Sequence, residues 1–212
     1  MQVKVKDFKQ QKFIAVVLGA GKSSRMGQPK QLLKINQEIL LEHVVRRVLE
    51  LNFYRVIVVL GHFKDEIESE LSTEILKKIH IVHNKNYEEG ISTSIKVGLH
   101  FCTKDIPIFI FVGDQPLICS KTIIYMKNHY HKIKFDIGRV FYNGIPAHPV
   151  LLGQKAISKI DQLQGDKGFS SLIKSKKLDV QNYHINECIP LIDIDRPEDY
   201  LLYINSIEGA QL

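Results

Sequence analysis

A basic, glycine-rich segment is the clearest place in this sequence where chemistry could occur. It spells GAGKSSRMGQPK from Gly19 to Lys30 and directly follows the apolar run FIAVVL at 13–18. Its glycines let the backbone approach a ligand closely and present N–H groups to it. Three cations, Lys22, Arg25 and Lys30, are enough to clamp a polyphosphate. The segment therefore predicts a site for the phosphates of a ligand, and the plainer alternative is a basic surface turn.

Two common phosphate-binding motifs have a similar spelling, but neither fits the segment. A P-loop requires glycine at the position that Val16 occupies. A dinucleotide-binding fingerprint requires its third glycine where the chain has Ser24. An ATPase of the P-loop class and a nicotinamide-dependent dehydrogenase are therefore disfavoured.

Carboxylates follow a later apolar run and recur near the end of the chain. Asp114, in the sequence GDQP, comes directly after the apolar run PIFIFV at 107–112. A carboxylate at the end of a parallel strand is well placed to hold Mg²⁺ against phosphate oxygens, although a turn aspartate before proline is the alternative. Asp193 and Asp195 alternate along a segment that we predict to be a strand, so we expect them to share one face.

Apolar runs alternate with segments of helical periodicity through the first two thirds of the chain. The predicted strands there are 13–18, 55–60, 79–82 and 107–112. The predicted helices are 40–51, 65–71, 92–101 and 120–131. Ser92 is expected to be the N-cap of the third helix. This alternation predicts an α/β fold with a doubly wound, mostly parallel sheet, and ligands of such sheets bind beyond the carboxyl ends of the strands.

The last third breaks the alternation. A turn at Asn143-Gly144 is expected to join two strands as a small β-hairpin excursion from the sheet. The strands predicted in this part are 137–142, 149–152, 178–184 and 191–194, and the helices are 154–160, 168–174 and one that begins at Pro197. We predict an N-terminal extension at 1–12, a single domain at 13–206 and a tail at 207–212.

Composition fits a globular protein with anionic ligands. The 212 residues are 44% hydrophobic and 25% charged, and the formal net charge is +6. The positive charge suits nucleotides or phosphorylated molecules, although solubility alone explains it equally well. Nucleic-acid binding would rest on charge alone and is not predicted. The three cysteines are widely spaced, and the sequence shows neither a signal peptide nor an apolar run of 18 residues, so we expect a cytoplasmic protein without disulfides or a membrane segment.

The segment LGAGKSSRMGQPKQLL resembles the signature of the MobA-like nucleotidyltransferases, and among them it is most similar to the molybdenum cofactor cytidylyltransferases. The resemblance runs from about Phe13 to Tyr203. It includes EGISTSIKVGL at 89–99, NGIPAHPV at 143–150 and GDKG at 165–168. It implies a Rossmann-like nucleotidyltransferase fold, and it implies transfer of a nucleoside monophosphate from a nucleoside triphosphate to a phosphorylated acceptor.

The resemblance also implies roles for individual residues. Catalytic roles are implied for Lys30, Arg25 and Asp114. Nucleotide contacts are implied for Leu18, Gly19, Ala20, Gly21, Lys22, Gly90 and Ser94. Acceptor contacts are implied for His148, Pro149 and Asp166, although an ordinary loop histidine and a helix-capping aspartate are the alternatives. Mg²⁺ is the implied cofactor, with Asp114 as its first ligand and Asp195, then Asp193, completing the site.

The residues of the glycine-rich segment also indicate which base the nucleotide substrate carries. Ala20 and Pro29-Lys30 are closer to the cytidylyltransferases than to the guanylyltransferases, whereas Gly19 stands where the former usually have alanine. The resemblance thus implies CTP and molybdopterin as substrates, and a molybdenum hydroxylase as a partner. Two alternatives stay open: an acceptor such as a sugar or alditol phosphate, and a non-catalytic accessory protein that delivers nucleotide or cofactor to a molybdenum hydroxylase.

Overall fold

The central strands of the sheet form where the apolar, β-branched runs of the sequence lie. The computed structural model describes residues 11–23, 26–174, 177–185 and 193–208. The strands in this part of the chain are β1 (Ile14–Gly19), β2 (Lys34–Ile35), β3 (Glu38–Ile39), β4 (Arg55–Leu60), β5 (His80–His83), β6 (Ile108–Val112), β7 (Ile137–Tyr142), β8 (Ile145–Leu152) and β9 (Val180–Ile185). Seven of them form one sheet in the order β5-β4-β1-β6-β8-β7-β9, and β2 pairs with β3 separately.

The sheet is mostly parallel. β5, β4, β1 and β6 run in one direction, and so do β7 and β9. Among the strands of the main sheet that the structure describes, β8 alone runs the other way, because it pairs antiparallel with both β6 and β7. β1 and β6 are neighbours, so the segments that follow them emerge side by side at one edge of the sheet.

Helices cover both faces of the sheet. The described α-helices are α1 (Leu40–Leu49), α2 (Lys64–Glu70), α3 (Thr73–Leu76), α4 (Ile91–His100), α5 (Ser120–Lys132), α6 (Gln154–Ile157), α7 (Ser170–Lys174) and α8 (Pro197–Glu208). Short 3-10 helices form at Lys30–Leu32, Tyr87–Glu89, Ile160–Gln162 and Gly165–Lys167. None of the helices in these ranges is long and apolar enough to cross a bilayer.

The alternation of side chains along β1 explains why the sheet is covered twice. Ala15 and Val17 point into a core shared with α1, α5 and α8, whereas Val16 points into a second core shared with α4, α6 and α7. Successive strand residues face opposite sides, so a run without polar residues must be buried on both. Helix α4 lies close to the sheet at Gly98, where the Cβ atom of any larger residue would lie 2.6 Å from Val16 Cγ1.

The predicted α/β class and its mostly parallel sheet are confirmed. The predicted hairpin at Asn143-Gly144 forms, with positive φ at both turn residues, and it interrupts the parallel arrangement because β8 is antiparallel to β7. β8 pairs with β6 over Val150–Leu152, because these apolar residues extend the buried centre of the sheet. The hairpin therefore supplies two strands of the main sheet.

Two predictions need correction. Asp193 and Ile194 do not belong to a strand, and the rest of the predicted strand, 191–192, lies outside the described residues. Ser92 is not an N-cap: Gly90 precedes the helix, and Ser92 is buried within its first turn. Helix α8 runs to Glu208, and the predicted bounds of the domain and its tail stay predictions. Residues 1–10 and 209–212 also lie outside the described residues.

Candidate active site

A cleft of 430 Å³ lies at the carboxyl ends of β1 and β6. Its walls include every residue for which a nucleotide contact was predicted, namely Leu18, Gly19, Ala20, Gly21, Lys22, Gly90 and Ser94. Lys30, Asp114 and Asp166 line it as well. Its volume lies within the range of small-molecule sites, about 300–1,000 Å³. Parallel strands direct their ends to one edge of the sheet, which explains why segments remote in sequence meet here.

The glycine-rich segment is held in shape by a buried glutamine. Gln31 is 3% exposed, and its Nε2 donates to the carbonyl oxygens of Gly19 at 3.2 Å and Gly21 at 2.8 Å. Its Oε1 accepts a hydrogen bond from Ser23, whose Oγ in turn accepts one from the Lys30 backbone N–H. Ser23 has a φ of 56°. Gln31 thus satisfies two inward carbonyls of the loop and ties both ends of the loop together.

Replacing Gln31 by leucine is expected to disorder this loop. Leucine keeps much of the volume but leaves the carbonyls of Gly19 and Gly21 without their partner, which costs about 1–3 kcal/mol per buried group. We expect KM for the nucleotide to rise by about tenfold or more, corresponding to about 1.4 kcal/mol. Steady-state kinetics of Gln31→Leu, with the exposed Gln164→Leu as control, test this. An unchanged KM would contradict a role for Gln31 in shaping the loop.

Lys30 joins two carboxylates that are far apart in the chain. Its Nζ donates to Asp114 Oδ2 and, at 2.8 Å, to Asp195 Oδ1, 165 positions later. The lysine side chain is 14% exposed, and those of Asp114 and Asp195 are 23% and 40% exposed. Burial by itself lowers the pKa of Lys30, but the two carboxylates outweigh burial and raise this pKa above its ordinary value. Lys30 is therefore a permanent cation at neutral pH and not a general base.

Asp193 and Asp195 do not share a face, contrary to the sequence prediction. The backbone turns between them, and the Asp195 N–H donates to the Asp193 carbonyl at 3.0 Å. Asp195 reaches Lys30, whereas Asp193 Oδ1 accepts a hydrogen bond from Gln115 Nε2 at 2.6 Å. Burial and the nearby charge of Asp114 raise the pKa of Asp193. Of the two aspartates, Asp195 is thus the one that converges with Asp114.

Lys22 and Arg25 are the other two cations that the sequence predicted for the site. Lys22 lies at the rim of the cleft, where its Nζ contacts Glu88 Oε1 at 2.7 Å and lies 5.8 Å from the centre of the Tyr87 ring. The hydrogen bond from Lys22 lowers the pKa of Glu88. Both side chains are about half exposed, so the pair is weak and exchangeable. Arg25 lies outside the described residues, and its predicted catalytic role stays a prediction.

The opposite wall of the cleft is built around Gly90, which has a φ of 103°. A Cβ at this position would lie 2.5 Å from the Gly165 carbonyl carbon, so only glycine fits beside the Gly165–Lys167 turn. Asp166 Oδ1 accepts a hydrogen bond from the Ile91 N–H at 3.0 Å and so caps α4, not the helix after it. Ser94 is 5% exposed and accepts a hydrogen bond from the buried Asn84.

Two of the three residues predicted to contact the acceptor, His148 and Pro149, lie in a bulge of β8. The pairing of β7 with β8 shifts between Arg139 and Val140, which leaves His148 and Pro149 as extra residues. His148 Nδ1 lies 3.1 Å from the Ile110 carbonyl, and burial lowers the pKa of His148, so the neutral ring donates through Nδ1. Pro149 is buried in the sheet. The contact predicted between Pro149 and an acceptor stays a prediction.

The family model described as the MobA-like NTP transferase domain matches residues 15–181. The chain belongs to this family. The Escherichia coli molybdenum cofactor cytidylyltransferase is 25% identical over 189 residues, which cover 88% of this chain and 92% of that protein. A protein described as a probable UDP-N-acetylglucosamine pyrophosphorylase, from Acanthamoeba polyphaga mimivirus, is 33% identical over 55% of this chain and 46% of its own length.

The fold of this MobA-like transferase is also similar, over nearly its full length, to a solved structure. The homologue of Mycobacterium tuberculosis Rv0371c from Mycobacterium sp. strain JC1 has a TM-score of 0.81 and 26% identity. The alignment covers 93% of this chain and 98% of that one. The chain is accordingly a nucleotidyltransferase with a Rossmann-like fold, and the cleft beside its signature segment is the candidate active site.

Sequence reasoning missed four polar residues of this MobA-like site: Gln31, Asn84, Glu88 and Gln115. Gln31 and Gln115 stand inside the two motifs that carry the site, immediately after Lys30 and Asp114. A long amide next to a functional residue, beside apolar neighbours, is the sequence signal for both. Asn84 follows β5 directly, as polar residues at the carboxyl end of a parallel strand often do in such sites.

Proposed function

We propose that this chain transfers CMP from CTP to the terminal phosphate of molybdopterin and releases pyrophosphate. The observation that carries the proposal is the convergence of Lys30, Asp114 and Asp195 beside the glycine-rich segment. Cations, backbone N–H groups and carboxylates are what a phosphate-transfer site requires, because such transfers depend on positioning and charge neutralisation.

The bond changes follow from the chemistry of phosphates. An oxygen of the acceptor phosphate attacks the α-phosphorus of CTP, and the bond from that phosphorus to the β-phosphate oxygen breaks. Pyrophosphate leaves with the electron pair. A phosphate monoester has a second pKa near about 6 and is already an anionic nucleophile at neutral pH. The site therefore needs no general base, in keeping with a Lys30 that stays protonated.

Each residue of the site has a role in this transfer. The loop N–H groups from Gly19 to Lys22, with the Lys22 ammonium, hold the pyrophosphate that leaves. Lys22 exchanges Glu88 for the phosphates when CTP binds, since the exposed ion pair contributes little. Lys30 lies deeper, next to Asp114, and neutralises charge that develops around the α-phosphate.

The carboxylate oxygens fit a magnesium ion. Asp114 Oδ2 and Asp195 Oδ1 both reach a single atom, Lys30 Nζ, so the two oxygens also lie close enough to share a small cation. Mg²⁺ is usually held by one or two carboxylates together with substrate phosphate oxygens. When bound, it would supply Lewis-acid stabilisation of the reacting phosphates. Asp193 accepts a hydrogen bond from Gln115, so its proposed role is to support the site and not to contact the magnesium ion.

The choice of cytosine rests on the Gly90 and Ser94 wall and on overall likeness. The Gly90 backbone and the Ser94 hydroxyl lie beside the cleft and can form hydrogen bonds to the edge of a small pyrimidine. Two features of the segment match the cytidylyltransferase signature, namely Ala20, which is 5% exposed, and Pro29-Lys30. The Escherichia coli molybdenum cofactor cytidylyltransferase is a relative that matches nearly the full length. A molybdenum hydroxylase would then receive the product.

A sugar-phosphate nucleotidyltransferase is the second candidate. The viral protein described as a probable UDP-N-acetylglucosamine pyrophosphorylase shares 33% identity over 118 residues, although this covers about half of each chain. Such an enzyme would use the same phosphate machinery with a different acceptor and base. The residues predicted to contact the acceptor, His148 and Asp166, would distinguish the two possibilities.

Pyrophosphate release with each nucleotide and each acceptor tests the proposal. We expect turnover to require Mg²⁺, CTP and molybdopterin together, with kcat/KM for CTP at least about tenfold above UTP, ATP and GTP, since each base-edge hydrogen bond contributes about 0.5–1.5 kcal/mol. N-acetylglucosamine 1-phosphate with UTP is the competing pair. Faster turnover of that pair would favour the second candidate. Tight CTP binding with no turnover of any acceptor would favour an accessory protein.

A further inference from the structure

Gln115 connects three parts of the site through one side-chain amide. It follows Asp114 in the chain and is 9% exposed. Its Nε2 donates to Asp193 Oδ1 at 2.6 Å, and its Oε1 accepts a hydrogen bond from the His148 N–H at 3.3 Å. The amide thus joins the segment after β6, the approach to α8 and the bulge of β8. A primary amide is suited to this position because it donates and accepts at the same time.

The contact between Gln115 and Asp193 helps to position the segment that carries Asp195, together with the hydrogen bond from the Asp195 N–H to Asp199 Oδ2 at 3.1 Å. Residues 193–195 belong to no strand, so no ladder of hydrogen bonds fixes them. They are tied to the Asp114 segment by the Gln115 amide and by the Ile194 N–H, which donates to the Asp114 carbonyl at 3.0 Å. Both ties act within two residues of Asp195, whose carboxylate must reach Lys30. Loss of the shorter one, at Asp193, leaves the Asp195 carboxylate less well oriented toward Asp114.

The second contact of Gln115 lies on the acceptor side. The bulge of β8 sets the His148 backbone apart from the regular pairing with β7, and the His148 N–H points to Gln115. The imidazole is itself oriented by the Ile110 carbonyl of β6. Gln115 therefore fixes the distance between the predicted acceptor residue and the aspartate segment, and it does so without lining the cleft itself.

We propose that Gln115 is a positioning residue that sets the geometry of the Asp114 and Asp195 pair and holds the His148 bulge against it. This inference rests on the proposed function, since it assigns these carboxylates to a divalent cation. Gln115 acts through Asp193 and His148 and does not contact the reacting atoms.

Manganese binding to Gln115→Met tests the proposal without any need for turnover. Methionine is similar in length but cannot form either hydrogen bond. In the full chain with CTP present, we expect Mn²⁺ affinity, followed by the electron paramagnetic resonance signal of free Mn²⁺, to fall by about 10–100-fold, as for other supporting residues of metal sites. CTP affinity without metal should change less than about threefold, because the nucleotide walls do not include Gln115. The exposed Gln162→Met is the matched control and should leave both unchanged.

A double-mutant cycle separates positioning from simple loss of packing. Asp193→Ala should weaken Mn²⁺ binding about as much as Gln115→Met, and the two together should cost little more than either one, because they remove the same hydrogen bond. Additive losses would overturn the proposal. Asp193→Asn retains an acceptor oxygen for Gln115 and should stay within about threefold of wild type. If Gln115→Met fails to fold, a larger loss for Asp193→Ala than for Asp193→Asn still tests the hydrogen bond, and equal losses would overturn its role.

The kinetic readout distinguishes this inference from the proposed function. If CTP and molybdopterin are the substrates, kcat should fall and the molybdopterin KM should rise in Gln115→Met, while the CTP KM is preserved. If the wild type does not turn over these substrates but Gln115→Met weakens Mn²⁺ binding, the substrates are misassigned and the positioning role stands. Unchanged Mn²⁺ binding in a folded Gln115→Met protein would overturn the positioning role whatever the substrates are.

Discussion

Asp114→Asn should lower turnover by about 10³-fold, because the site then loses a carboxylate that faces both Lys30 and the proposed magnesium position. Asparagine has nearly the same shape, so the side chain can still accept a hydrogen bond from Lys30 Nζ. The loss should appear in kcat, measured by pyrophosphate release at saturating nucleotide and Mg²⁺. Asp114 is 23% exposed and belongs to no helix or strand, so we expect the melting temperature to change little.

Asp161→Asn is the matched control for Asp114→Asn. Asp161 is an exposed aspartate in a short 3-10 helix outside the cleft. This variant should retain wild-type kcat, and Asp114→Ala should be at least as inactive as Asp114→Asn. Substantial turnover by a folded Asp114→Ala protein would show that the metal ligand is misassigned.

Lys30→Met should have the second large effect. The ammonium is a partly buried cation next to the carboxylates, and removing one such charge contact typically costs about 10²–10³ in rate. The same change leaves Asp114 and Asp195 without their shared partner, so we expect Mg²⁺ to raise the melting temperature more in Lys30→Met than in wild type. Differential scanning fluorimetry with and without Mg²⁺ measures the second effect, and pyrophosphate release measures the first.

Two variants control for the loss of a positive charge. Lys34→Met removes an exposed lysine that contacts Glu70 outside the cleft, and it should behave like wild type. Lys30→Arg preserves charge but places a planar fork where a compact ammonium bridges two carboxylates, so it should restore only part of the activity. If Lys30→Met retained full turnover, the charge at this position would not contribute to the transfer.

Much of the site is predictable because it is built from local patterns. A run of apolar residues from Phe13 to Leu18 must form a strand buried on both faces, and the glycines and cations after it must lie at the carboxyl end of that strand. The same reasoning places Asp114 after β6. Because parallel strands end at one edge of the sheet, the glycine-rich loop and the Asp114 carboxylate are expected to lie close together. In the structure they meet where Lys30 contacts Asp114.

Residues outside regular elements are harder to predict. Alternation predicts Asp193 and Asp195 on one face of a strand, but a turn gives them separate partners, and the partner of Asp193 is Gln115. Asp166 is predicted to contact the acceptor or to cap the helix after it, and the structure shows that it caps the start of α4, an earlier helix. In each case the direction of the side chain depends on contacts with residues distant in the chain. Periodicity and propensity describe short segments, so they do not predict such contacts.

The sequence by itself determined the α/β class, the order of the main-sheet strands and longer helices through the first two thirds, and the basic glycine-rich loop that begins the site, whereas it did not reveal β2, β3 and α3. Local composition sets each of these features, since burial on two faces and freedom of the backbone are properties of short segments. The tertiary structure decided that the hairpin joins the main sheet, that Asp195 rather than Asp193 reaches Lys30, and that Gln115 joins the carboxylate and acceptor sides. These outcomes depend on hydrogen bonds between segments as far apart as Lys30 and Asp195, which form only when the whole sheet is assembled.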